Sequence, residues 1–120
     1  MLRLGHNIAE RLHELIAMIV QIARGIPDEA GFKHVPGQLV RAGTSAGANY
    51  EEARAAESRA DFVHKVSVAT KELRETLFWI RFAKAIGGVD PAILDKAIDE
   101  ASQLAAILGA SARTARRNNA

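Results

Sequence analysis

The chain has 120 residues, the size of one domain, and its 48% hydrophobic and 25% charged content excludes a disordered polymer. With no cysteine, it cannot be a disulfide scaffold, a cysteine-ligated zinc finger, a thiol nucleophile or an iron–sulfur protein. The net charge of +2 is unevenly placed: residues 1–112 carry 13 positive and 14 negative side chains, a balance of −1, and Arg113, Arg116 and Arg117 supply the remainder.

Four segments show helical periodicity, separated by Gly and Pro. In the first, Ile8, Leu12, Leu15, Ile16, Ile19 and Ala23 follow i, i+3, i+4 spacing, which predicts a helix over 5–24 ended by Gly25 and Pro27. Its apolar run Leu15–Val20 is far short of the roughly 20 residues a membrane span needs, and charged residues at 10, 11 and 14 interrupt any secretory pattern. A cytoplasmic protein without a membrane segment is expected.

The connection 26–34 leads to Pro36, suited to a first helical turn because its missing N–H would be unpaired there. The second helix is expected to reach about Ala56. It contains Gly37, Gly43 and Gly47, each costing about 1 kcal/mol relative to Ala inside a helix. Gly43 and Ala46 share the face of Leu39, Tyr50 and Ala53, a low ridge against which a neighbouring helix can approach closely. On another flank Gln38, Arg41, Ser45, Asn49 and Glu52 form a polar row.

Ser58, three residues before Asp61, resembles a capping box and opens a third helix. Phe62, Val66, Ala69, Leu73, Leu77 and Ile80 form its stripe, which stops at Gly87 and Gly88. Val68, Trp79, Phe82 and Ile86 make a second apolar face, which one helix cannot turn to the same core, so part of it is expected to meet another subunit. Glu72 and Glu75 lie beside it, and Arg41 can pair with one of them if the two helices meet there. Asp90 and Pro91 begin a fourth helix carrying Leu94, Ala97, Ala101, Leu104 and Leu108. The chain is expected to fray beyond about Ser111, leaving a bundle domain at 1–112 and a disordered basic tail at 113–120. The whole reads as an all-α, antiparallel up-down-up-down four-helix bundle.

Chemistry-bearing constellations are few. Glu10 with His13, and Asp61 with His64, have the spacing that carboxylate bundles use to hold metals, but helical wheels point both pairs away from the core. Ser45, Ser58 and Ser67 lie in no strained nucleophile turn. No catalytic residue, metal site or cofactor is therefore assigned.

The ordered strings Gln38-Leu39-Val40-Arg41, Ser45-Ala46-Gly47-Ala48-Asn49, Asp61-Phe62-Val63-His64-Lys65 and Lys71-Glu72-Leu73-Arg74-Glu75-Thr76-Leu77-Phe78-Trp79 are specific enough to identify a family. Over about residues 5–110 the chain resembles the bacterial 23S rRNA intervening-sequence, or S23-type, proteins, a family that includes the accessory variability protein of diversity-generating retroelements. The resemblance implies an up-down bundle that assembles into five-fold rings, with no catalytic activity established for the family as a whole. It places Arg41, Asn49, Glu72, Glu75 and Trp79 at motif positions without giving them a role. The retroelement branch is strongly basic and binds nucleic acid and a reverse transcriptase; the −1 body of this chain departs from it.

Two functional expectations follow. The first is a non-catalytic homo-oligomeric scaffold or adaptor, a pentamer by resemblance, that binds another protein or an RNA-containing assembly. Arg41, Asn49, Glu52, Glu72, Glu75, Val68, Trp79, Phe82 and Ile86 are its candidate interface or polar-network residues. The second is a direct binder of RNA or DNA without sequence preference, in which Arg113, Arg116 and Arg117 touch phosphates.

Overall fold

The computed structural model describes residues 4–118. Four helices, α1 (Leu4–Gly25), α2 (Val35–Arg54), α3 (Arg59–Ile86) and α4 (Pro91–Asn118), account for nearly all of them, with one short 3-10 turn at Ala30–Phe32. Each helix packs on the next in sequence, and α1 closes the ring on α4. Cross-helix contacts give the directions. Ile19 lies opposite Gly43 and Ile16 opposite Gly47; Arg41 meets Glu72 and Glu75 while Glu52 meets Lys65; Lys84 meets Asp95 while Ser67 meets Arg116. Numbers fall on one helix as they rise on its neighbour, so consecutive helices run antiparallel.

Local chemistry sets the boundaries. The Ser58 side chain accepts the Asp61 N–H at 3.0 Å, and the Asp90 carboxylate accepts the Ala92 N–H at 3.0 Å, so α3 and α4 both start on a side-chain cap. Pro36 sits in the first turn of α2. α3 ends because Gly87 adopts φ 89 and ψ 178, a region essentially closed to side-chain-bearing residues, and Gly88 follows at φ 94. α2 ends at Arg54, two residues before the expected Ala56, where the Ala55 and Ala56 N–H groups turn back onto the Glu52 and Ala53 carbonyls at 3.2 and 3.1 Å.

The core is aliphatic. Ile8, Leu12, Leu15, Ile19 and Ile22 of α1 are at most 2% exposed and face Leu39, Leu73, Ile80, Leu94, Leu104 and Leu108. Ile22 takes the core position that the periodicity gave to Ala23, and Ile16 and Ala23 are half-buried at the flank. The α2 glycines explain themselves against α1. A Cβ on Gly43 would lie 2.6 Å from Ile19 Cδ1, and one on Gly47 would lie 2.9 Å from Ile16 Cδ1, so both isoleucines occupy space that any other residue would fill. The α1–α4 seam carries a polar clamp. Arg11 donates from Nε and Nη2 to the two oxygens of Glu100 at 2.8 Å each, and Nη2 also reaches Gln103 Oε1 at 3.0 Å.

One expectation is corrected. The chain does not fray at Ser111: α4 continues to Asn118. α3 is 28 residues long, and its first turns need a partner of equal length. Ala112, 5% exposed, continues the buried stripe past Leu108. Arg113 and Arg116 therefore ride on a packed helix, where the expected disordered tail at 113–120 would have left them loose. Asn119 and Ala120 lie outside the described residues.

Candidate functional site

The polar row of α2 divides on contact with α3. Arg41 donates from Nε to Gln38 Oε1 at 3.1 Å and from Nη1 to Glu72 Oε2 at 3.2 Å, and its Nη2 is paired with Glu75. Trp79 Nε1 donates to the same Glu75 oxygen at 3.0 Å. Lower down the helix, Lys65 Nζ donates to Glu52 at 2.7 Å. Asn49 turns inward along its own helix, donating to the Ser45 carbonyl at 2.9 Å and hydroxyl at 3.2 Å. The structure thus brings Arg41, Glu72, Glu75 and Trp79 together, and leaves Asn49 and Glu52 in separate contacts.

This cluster lies at the surface. The Arg41 side chain is 46% exposed, against 17% for Glu72 and 34% for Glu75. The Trp79 N–H, and after it the Arg41 guanidinium, hold the Glu75 carboxyl below its ordinary value, while the bond to Glu75 raises the guanidinium further. The guanidinium is screened by water while Glu72 is not fully so, and Arg41→Ala should lower the denaturation midpoint only modestly. Its clearest effect belongs in the titration of Glu75. Trp79 is the only tryptophan in the chain, so its fluorescence reports that carboxyl directly. In the wild type the pH midpoint should fall below the ordinary carboxylate range, and in Arg41→Ala it should move part of the way back up, the Trp79 hydrogen bond remaining.

Beside the cluster the surface turns aromatic. Trp79 packs edge-on against Phe78, Phe82 and His34, with ring centroids 4.8, 6.4 and 5.9 Å apart, and the Phe78 and Phe82 rings are parallel at 6.5 Å. Phe78 is 58% exposed and Phe82 is 37% exposed. Val68 and Ile86, placed on the same face by the helical wheel, are half-buried and make no part of this ring cluster; Ile86 packs on the core. Phe78 was not singled out by the wheel because it sits off the axis of the Val68–Trp79 stripe; its i, i+4 spacing with Phe82 is the signal that finds it.

The family model for the 23S rRNA-intervening sequence protein matches residues 6–110. The chain belongs to that family. It is also similar, at 28% identity and a TM-score of 0.75, to a protein of unknown function from the S23 ribosomal protein family of Bacteroides thetaiotaomicron VPI-5482, over 84% of this chain and 94% of that one. No curated protein matches.

Two further surfaces of this 23S rRNA-intervening sequence family member complete the picture. Between α1 and α2, a groove of about 330 Å³ is lined by Ala9, His13, Ile16, Gly47, Ala48 and Tyr50, among others. Between α3 and α4, Arg116 Nη2 donates to Ser67 Oγ at 3.3 Å, with Arg113 one turn earlier and Arg117 exposed beyond. The carboxylate–histidine pairs stay at the surface: Glu10, His13 and His64 are exposed and Asp61 is half-buried. Among the described residues no three His, Cys, Asp or Glu side chains converge as metal ligands, and no helix is long and apolar enough to cross a membrane.

Proposed function

We propose that the protein is a non-catalytic, homo-oligomeric helical scaffold of the cytoplasm that presents its bundle surface to another protein or to an RNA-containing assembly. The aromatic face of α3 carries this reading. Phe78 and Phe82 are the large hydrophobic side chains that the described residues leave in water, and covering a phenylalanine side chain is worth about 1.5–3 kcal/mol. A second copy supplies the cover, and the family resemblance sets the expected ring at five. Arg41 and Lys65 are raised, and Glu75 and Glu100 lowered, mainly by hydrogen bonds to their partners, the pattern of structural ion pairs that a scaffold surface carries.

Size-exclusion chromatography with light scattering decides it. The wild type should elute as a multiple of 12.9 kDa, and Phe78→Asp with Phe82→Asp should release a monomer of unchanged helical content. A wild type that remains a monomer at tens of micromolar would sink the scaffold reading.

A further inference from the structure

The strongest unexplained feature is charge, and it lies on the other flank of α3. There a cleft of about 270 Å³ runs between α3 and α4, with Lys71 and Arg74 on one wall and Arg113 and Arg116 on the other. Its remaining lining residues are small or hydroxylated, Gly109, Ala112, Ser67 and Thr70, and no carboxylate is among them.

Elsewhere the chain neutralises many of its cations: Arg11, Arg41, Arg54, Lys65 and Lys84 each face a carboxylate. None of the four cleft cations has an ion-pair partner among the described residues. The two α4 arginines make contacts within the cleft. Arg116 is fixed by its bond to Ser67 across the helix pair. Arg113 lies over Gly109, where a Cβ would stand 3.4 Å from its Nη1 and 3.8 Å from Thr70 Cγ2. A cation in the last turn of a helix is favoured by the helix dipole, which accounts for Arg116. That explanation does not extend to Lys71 and Arg74, which sit in the middle of α3. Like charges on neighbouring turns weaken a helix, and an anion held between the four that converge on this cleft would relieve their repulsion.

We propose that this α3–α4 cleft binds phosphate groups carried on a larger polyanion, with Lys71, Arg74, Arg113 and Arg116 as the contacts. The cleft is small and open to solvent, so it suits a charged group whose carrier stays outside. Arginine supplies forked donors and lysine a point charge, both common phosphate partners. The inference goes beyond the scaffold reading and needs no second copy of the chain.

Fluorescence anisotropy of a labelled polyuridylate of about 20 nucleotides, read between about 50 and 200 mM salt, tests it. The wild type should bind at the lower salt and release at the higher. Lys71→Ala with Arg74→Ala, and Arg113→Ala with Arg116→Ala, should each weaken binding about tenfold. Each pair should also flatten the log–log salt slope by roughly 1.4, at about 0.7 per phosphate contact on a single strand. Arg24→Ala with Lys33→Ala removes the same charge from outside the cleft and should change affinity less than about twofold. Ser67→Glu keeps every cation, sets a carboxylate against Arg116, and should weaken binding as much as a double variant. Circular dichroism confirms that each variant is folded.

Competition with tripolyphosphate assigns the source. Displacement of the strand by micromolar tripolyphosphate identifies the terminal or free phosphate group as sufficient; displacement only by an unlabelled strand identifies the polymer backbone. Equal losses from the cleft pairs and the Arg24–Lys33 pair would overturn the proposal, and so would a wild type that binds neither probe at the lower salt.

Discussion

Gly43→Val should destabilise the bundle by about 2–3 kcal/mol and lower its melting temperature by roughly 10 °C, whereas Gly43→Ala should change stability by less than about 1 kcal/mol. The difference lies in what each side chain meets. The alanine Cβ conflicts only with Ile19 Cδ1, at 2.6 Å, while Cγ2 and Cγ1 of Ile19 stand at ordinary distances of 3.5 and 3.7 Å. A turn of the isoleucine about its last bond relieves that contact, and the better helix propensity of alanine, about 1 kcal/mol, offsets the cost. Valine adds two further carbons at a buried site, and α1 and α2 must then separate. Combining Gly43→Val with Ile19→Ala supplies the check. The double variant should be more stable than the sum of its single losses by about 1 kcal/mol or more. Strict additivity, measured by denaturant unfolding, would show that the glycine is not there to admit Ile19.

The second large effect is expected at the α1–α4 clamp. Glu100→Gln should cost about 1 kcal/mol at neutral pH, and Arg11→Ala somewhat more, because it leaves a carboxylate only 20% exposed without its partner. Hydrogen bonding from Arg11 outweighs burial and holds the Glu100 carboxyl below its ordinary value. A carboxyl lowered in the folded state stabilises fully above its unfolded value, about 4.3, and loses that contribution as the pH falls through the lower folded value. The gap between wild type and Glu100→Gln should therefore be constant from pH 7 to about pH 5 and close in the acid range below about 4. A gap that persists into strong acid would assign the loss to packing.

The four helices were legible in the sequence because leucine and isoleucine mark their buried faces and because Ser58, Gly87 and Asp90 punctuate them. The last turns of α4 were not, because Ala112 continues the buried stripe with a single methyl group that hydropathy barely registers. The pairing of Arg41 with Glu72 and Glu75 was visible only as an alternative, since a helical wheel gives directions on one helix and not the register between two. The cationic cleft was hidden for a different reason. A balance of −1 over residues 1–112 averages the ion-paired surfaces with an α3 flank whose Lys71 and Arg74 stand outside those ion pairs, and only the fold brings Arg113 and Arg116 to the same place.

The double-glycine turn has a consequence for how the molecule opens. A Cβ on Gly88 would lie 2.9 Å from Pro27 Cγ, and one on Gly25 would lie 3.2 Å from Val89 Cγ2. The link leaving α1 and the link entering α4 are thus wedged into each other, although more than sixty positions separate them in sequence. Neither link can lift away alone. That end of the bundle behaves as one latch, so its two connections should exchange their backbone amide hydrogens through a shared opening event, while the α2–α3 connection at the opposite end, held by the Ser58 cap, breathes on its own.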